Sequence, residues 1–307
     1  MKKVNLKATM YFAAAVSGLV PTMAHASPQY NLCASGLTGA MPGRANAQAG
    51  STFINTIRDM TDGARDRVVA DAIAAGQTPS FMRNLSPVVM NDGRHGGPEV
   101  VICVTPDYLS VGNNQDNVRT PMGLPAALRV ATRYGFVLPT TAMVNAIFTQ
   151  ADTRLSPEPM PPTGAMTTTS YFEGHDQTVD RQLARRGGTQ GDLVAGHKKD
   201  LVLSPRLWQT PGRVAIYGWH QSNGRPIQPL SLVHGEYYAD YSHGVRLVSA
   251  VAYVDGTPTS IYDVLGDANL SRYVSDEGPM PNLRQRIEAI IDVPAPLPSQ
   301  IGAMLRP

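Results

Sequence analysis

Four histidines, His197, His220, His234 and His243, crowd into one stretch of the second half of the chain. Imidazole is the side chain best matched to proton transfer near neutral pH and to metal ligation, so such a cluster points to acid–base or metal-assisted chemistry. The same stretch carries Lys198, Lys199, Asp200, Tyr217, Trp219, Tyr237, Tyr238, Asp240, Tyr241, Ser242 and Arg246. For any one histidine the plain alternative is a ring that completes a hydrogen bond at a strand end. The densest segment, HGEYYADYSHG (234–244), sets a geometric condition. On a straight strand, at about 3.3 Å per residue, His234 and Asp240 would stand roughly 20 Å apart, so they converge only if Gly235 opens a loop. Ser242 and His243 are adjacent and would point to opposite faces of a strand, so Ser242 as a nucleophile needs a more distant histidine.

These residues define the candidate centre. His220, His234, Asp240, Ser242 and His243 are its catalytic candidates. His197, Lys198, Tyr217, Trp219, Tyr238 and Arg246 are its substrate contacts, the cations for anionic groups and the aromatic rings for the flat faces of sugars or peptides. Cooperation is expected between His197, His220 and the 234–244 segment, brought together by sheet pairing. Two chemistries fit. In one, two or three of the histidines with Asp200 or Asp240 hold a single zinc ion that keeps a position open for water. The spacing His234-x5-Asp240 is one residue shorter than the His-x6-Asp of zinc-dependent peptidoglycan endopeptidases, and no histidine follows His243 to complete that set. In the other, no metal is used: a histidine acts as base, an aspartate orients it, and Ser242 or a water attacks. Either way the expectation is a hydrolase acting on a cell-envelope or extracellular polymer. The alternative is a non-catalytic envelope or polysaccharide-binding protein that presents the same side chains.

Ser242-His243-Gly244-Val245-Arg246-Leu247 resembles the Ser-His-Gly-Cys-x-Arg signature of L,D-transpeptidases, secreted enzymes that cross-link cell walls. The likeness covers six residues and implies a β-rich fold around His220 and His234. Val245 stands where that family has its nucleophilic cysteine, and a valine cannot form the thioester the family uses. More broadly the chain is similar to a family of uncharacterised secreted bacterial proteins. That similarity lies in TPDYLSVG (105–112), LPTTAMVNAIFTQA (138–151), GHKKDLVLS (196–204), VAIYGWH (214–220) and YADYSHGVRLV (238–248). It implies one domain and supplies no mechanism.

Export is predicted from the N-terminus. Lys2, Lys3 and Lys7 precede an apolar run, Ala8–Val20, which Pro21 ends, and Ala24-His25-Ala26 supplies the small residues that a signal peptidase reads. Residues 1–26 are therefore read as a signal peptide. The apolar run is too short for a bilayer-spanning helix of about 20 residues, so no transmembrane anchor is expected after cleavage, and the product is placed in the periplasm or outside the cell. The chain has two cysteines, Cys33 and Cys103. An oxidising compartment favours joining them over two free thiols. A formal net charge of +2, with acids and bases interspersed, excludes a nucleic-acid footprint.

The expected fold class is α+β, a helical N-terminal half packed with a strand-rich, mostly antiparallel C-terminal half. Residues 27–60 are read as an N-terminal arm and 61–307 as a single domain, with a lobe boundary possible near 156–168. That stretch holds Pro157, Pro159, Pro161 and Pro162. Helices are predicted over 64–75 with a stop at Gly76, over 125–134 with a stop at Gly135, from Thr140 or Thr141 to Ala151, and over 259–274 and 282–291. Strands are predicted at 99–104, 107–111, DLVLS (200–204), GRVAIYGWH (212–220), PIQPLSLVH (226–234) and GVRLVSAVAYV (244–254), with a hairpin turn at Asp255-Gly256. Alternation along 214–220 puts Val214, Ile216, Gly218 and His220 on one face and Tyr217 with Trp219 on the other.

Overall fold

The apolar run EVVICV becomes the central strand of the larger sheet because every residue from Val100 to Val104 is buried. The structure, a computed structural model, describes residues 32–34, 36 and 38–291, so the signal-peptide reading of 1–26 lies outside the described residues. The fold is a mixed α+β fold. Its six-stranded antiparallel sheet runs Thr257–Ser260, Val251–Val254, Glu99–Val104, Val248–Ser249 and Phe136–Val137, with Ser86–Asp92 also paired to Glu99–Val104. Strands from both halves of the chain thus enter one sheet. Asp255 and Gly256, at φ 48° and 73°, close the hairpin between Val251–Val254 and Thr257–Ser260, the left-handed pair that a two-residue turn demands.

Helix ends follow local chemistry. The helix Asp62–Ala74 is followed by Gly76 at φ 78°, and Leu124–Arg133 by Gly135 at φ 77°. Thr141–Gln150 is capped by Thr140, whose Oγ1 accepts the Met143 amide at 3.2 Å. Within the stretch read as an arm, Gly50–Thr56 forms a short helix and buries Phe53 and Ile54 in the main core. Cys33 and Cys103 form the disulfide, which ties the start of the described chain to the central strand.

The smaller sheet carries the candidate site. Its order is Pro226–Ser231, Ile216–His220, Lys199–Leu201, His243–Gly244. Pro226 and Pro229 confine the first of these to the edge, since proline cannot donate to a ladder. The last pair is parallel, with His243 opposite Lys199 and Gly244 opposite Asp200. The proline-rich stretch from Pro157 to Pro162 has no regular structure and leads through a short 3-10 turn into Thr169–Arg185, the longest described helix. This helix falls outside the stretches whose periodicity predicts one. It buries Thr169, Phe172, His175, Asp176, Val179 and Gln182, which share one helical face, but four of those six are polar, so an apolar stripe is missing. Among the described residues no helix is long and apolar enough to cross a membrane.

Candidate functional site

The 234–244 segment turns back on itself. The imidazole of His234 stacks on the ring of Tyr238 at 4.0 Å and 10°, and His243 comes within 6.1 Å of His234, centroid to centroid. Gly235 forms a bridge with Arg213 and the Tyr238 amide bonds to the Gly235 carbonyl, so a loop does open at Gly235. Asp240 anchors the return: its Oδ1 accepts the Ser242 amide at 2.8 Å and the Ser242 hydroxyl at 2.5 Å, and its Oδ2 accepts the Tyr238 hydroxyl at 3.1 Å. His243 Nε2 stands 3.8 Å from Asp240 Oδ2, beyond hydrogen-bond reach. Both ring nitrogens of His243 are buried without a partner. The centre therefore has a floor of buried Asp240, Ser242 and His243, and a rim of half-buried His234, Tyr238 and Lys199.

Burial lowers the His243 imidazole to about 4, with the Asp240 charge opposing, so the ring is neutral near pH 7. Burial pushes the Asp240 carboxyl upward, but His243, the Ser242 hydroxyl and Lys199 outweigh it and hold the group down at about 2. With His243 neutral, the Ser242 bonds and Lys199 are what keep the carboxylate ionised at that pH. Burial also lowers His234, with Asp240 opposing. The arrangement is a neutral imidazole with a free lone pair beside a carboxylate, the equipment of a general base.

The other two histidines of the cluster sit in separate surroundings. His220 Nε2 donates to Asn145 Oδ1 at 2.9 Å, and the ring stacks on Phe148 at 4.7 Å. The Tyr217 hydroxyl donates to the same oxygen at 2.9 Å. The predicted split of Tyr217 and Trp219 from His220 is corrected here. Gly218 at φ 110° and Trp219 at φ 55° break the alternation, so Tyr217 joins His220 while the Trp219 ring turns toward Phe172, Tyr241 and His175. His197 Nε2 lies 3.0 Å from Asp107 Oδ1. Burial lowers His197 to about 4, and a neutral ring facing an acceptor-only carboxylate carries its proton on Nε2.

Sequence reasoning missed a buried ionic network. Arg119 bonds Asp107 Oδ2 at 2.7 Å, Asp176 Oδ1 at 2.8 Å and Asp180 Oδ1 at 2.9 Å. Burial acts to raise Asp107, but Arg119 and His197 hold it well below the ordinary carboxylate range. Lys198 is wholly buried, its Nζ donating to the Tyr241 carbonyl at 2.6 Å and to His175 Nδ1 at 3.1 Å; burial lowers the ammonium to about 8 against the pull of Asp176. Arg246 is also wholly buried, bonding the carbonyls of Thr105 at 2.8 Å and Val194 at 2.6 Å and lying over the Tyr108 ring. The Tyr108 hydroxyl in turn donates to Asp200, which burial raises to about 7. Trp219 is 4% exposed, so little of its ring is open to a sugar face. A cavity of about 370 Å³ lies over Asp107, Arg119 and Asp180, and neither His234 nor His243 lines it.

Comparison with protein-family models, with curated proteins and with solved structures gives no match. The transpeptidase likeness stays confined to Ser242–Leu247. Val245 packs in the main core, and both cysteines of the chain are joined to each other, which leaves no thiol to act as a nucleophile. Among the described residues no three His, Cys, Asp or Glu side chains gather in a way that would hold a metal ion.

Proposed function

We propose that this chain is an exported hydrolase of a cell-envelope or extracellular polymer, with His243 and Asp240 as its acid–base centre. The observation that carries this reading is the buried His243 ring, neutral and with both nitrogens unpartnered, 3.8 Å from an ionised carboxylate. A buried polar group without a partner costs about 1–3 kcal/mol, and function is a reason to keep one. His243 takes a proton from an attacking water, and Asp240 stabilises the imidazolium that forms. The His243 imidazolium then returns that proton to the leaving group, with His234 beside it at the rim, 6.1 Å away. Ser242 serves the carboxylate: its hydroxyl is spent on Asp240, which favours water over serine as the nucleophile. Export is supported by the Cys33–Cys103 disulfide, since such bonds persist in oxidising compartments.

The test is release of soluble fragments from purified peptidoglycan sacculi and from polysaccharide by the wild-type chain, His243→Asn and Asp240→Asn. Loss of the base should lower turnover about 10²–10⁴-fold. Equal turnover in all three chains overturns the assignment. The burial of Asp240, Ser242 and His243 favours a second reading, recognition of a polymer by the rim residues alone; binding without product release by any of the three chains would support it.

A further inference from the structure

Lysine 199 differs from the two cations that sequence reasoning assigned to substrate. Lys198 and Arg246 are buried and spend donors on neighbouring protein atoms, so neither is open to a ligand. Lys199 is half-buried, and the parallel register sets it directly opposite His243. Cross-strand partners share a face of the sheet, so its side chain stands beside that imidazole. On its other flank the paired residue is Gly218, which has no side chain to crowd it. Its Nζ lies 5.3 Å from the centroid of Trp219, and among the described residues it forms no ion pair. The ammonium is near enough to depress the titration of both Asp240 and His243. An ammonium seated on an aromatic face, beside the reacting groups and with no described carboxylate within ion-pair distance, has the chemistry to receive one from a ligand.

We propose that Lys199 is the specificity-determining residue of this centre and binds a carboxylate of the polymer, which makes the substrate class an acidic, carboxylate-bearing polymer. This rests on the hydrolase reading above for its place beside His243. The experiment uses the full chain, peptidoglycan sacculi, and the same sacculi after their carboxylates have been converted to amides. For the wild type, KM should be about tenfold or more higher on the amidated sacculi, the worth of one charge-assisted hydrogen bond, with kcat little changed. Lys199→Met, which keeps the stem over Trp219, should show the same higher KM on both preparations, and Lys199→Arg should restore the preference. Equal KM on the two preparations for the wild type overturns the inference, and that arm needs no variant to fold. If His243→Asn abolishes turnover while Lys199→Met changes nothing, the hydrolase reading stands and the carboxylate assignment falls. If the wild type releases no product, co-sedimentation with the two preparations decides: preference for native sacculi, lost in Lys199→Met, upholds the carboxylate site without the hydrolase, and equal binding ends both.

Discussion

The Nε2 atom of His197 meets Asp107 Oδ1 at 3.0 Å, and on the other oxygen of that carboxylate Arg119 sits at 2.7 Å. One buried carboxylate thus holds a histidine and an arginine that lie 78 positions apart in the chain. Arg119 in turn neutralises Asp176 from the helix Thr169–Arg185. Removing one partner of a buried ionic set leaves uncompensated charge and costs about 3–5 kcal/mol. Arg119→Met should therefore be strongly destabilised in urea unfolding, and a midpoint equal to the wild type's would count against the network.

The His243 ring predicts an acid dependence of stability. It titrates at about 4 in the fold and near 6.5 when unfolded. Between those values the unfolded chain binds the proton and the folded chain does not, so stability falls as pH drops from 6.5 toward 4 and this contribution levels off below 4. Over that span one such group contributes about 3 kcal/mol. His243→Asn should show a shallower fall of melting temperature across this window. An unchanged slope would mean the ring is not buried and neutral.

Asn145 accepts from both Tyr217 and His220 through one oxygen. Asn145→Ala strands both donors and should lower stability by about 1–3 kcal/mol. Because His220 sits apart from the His234–His243 pair, fragment release by this variant should stay near the wild-type rate. A loss as deep as that of His243→Asn would put His220 back into the centre.

Gly244 has an ordinary φ, so its need is for space. A Cβ there would meet Tyr108 Cδ1 at 2.5 Å and Lys198 Cβ at 2.9 Å. Gly244→Ala should overpack the contact between the two parallel strands and cost about 1–3 kcal/mol. Thermal unfolding of the variant checks it, and a melting temperature at or above the wild type's would show that Tyr108 moves aside freely.

The disulfide joins residues 70 positions apart. Closing a loop of that length removes unfolded-state entropy worth about 4 kcal/mol in the chain-entropy model. Cys33→Ser with Cys103→Ser should shift the urea midpoint down accordingly, whereas reducing agent should leave the midpoint of that double variant where it is.

Local chemistry was legible in the chain itself. Two cysteines allow a single intramolecular pairing, and that pairing is present. Thr140, Gly76, Gly135 and Asp255-Gly256 end or cap their elements where residue type alone demands it, because caps and turns depend on a few neighbouring dihedrals. The helix Thr169–Arg185 was illegible because its buried face is largely polar: His175 and Asp176 face Lys198 and Arg119, partners that periodicity cannot supply. Which histidines meet was likewise a tertiary decision. His234 and His243 converge because their own loop folds back, while His197 goes to Asp107 and His220 to Asn145, each chosen by a chain segment 90 or 75 positions away. The burial of Lys198 and Arg246 and the partial exposure of Lys199 were decided in the same way. Alternation says that neighbours differ in face, but only the packed helix Thr169–Arg185 and the ring of Tyr108 decide which face is closed to water.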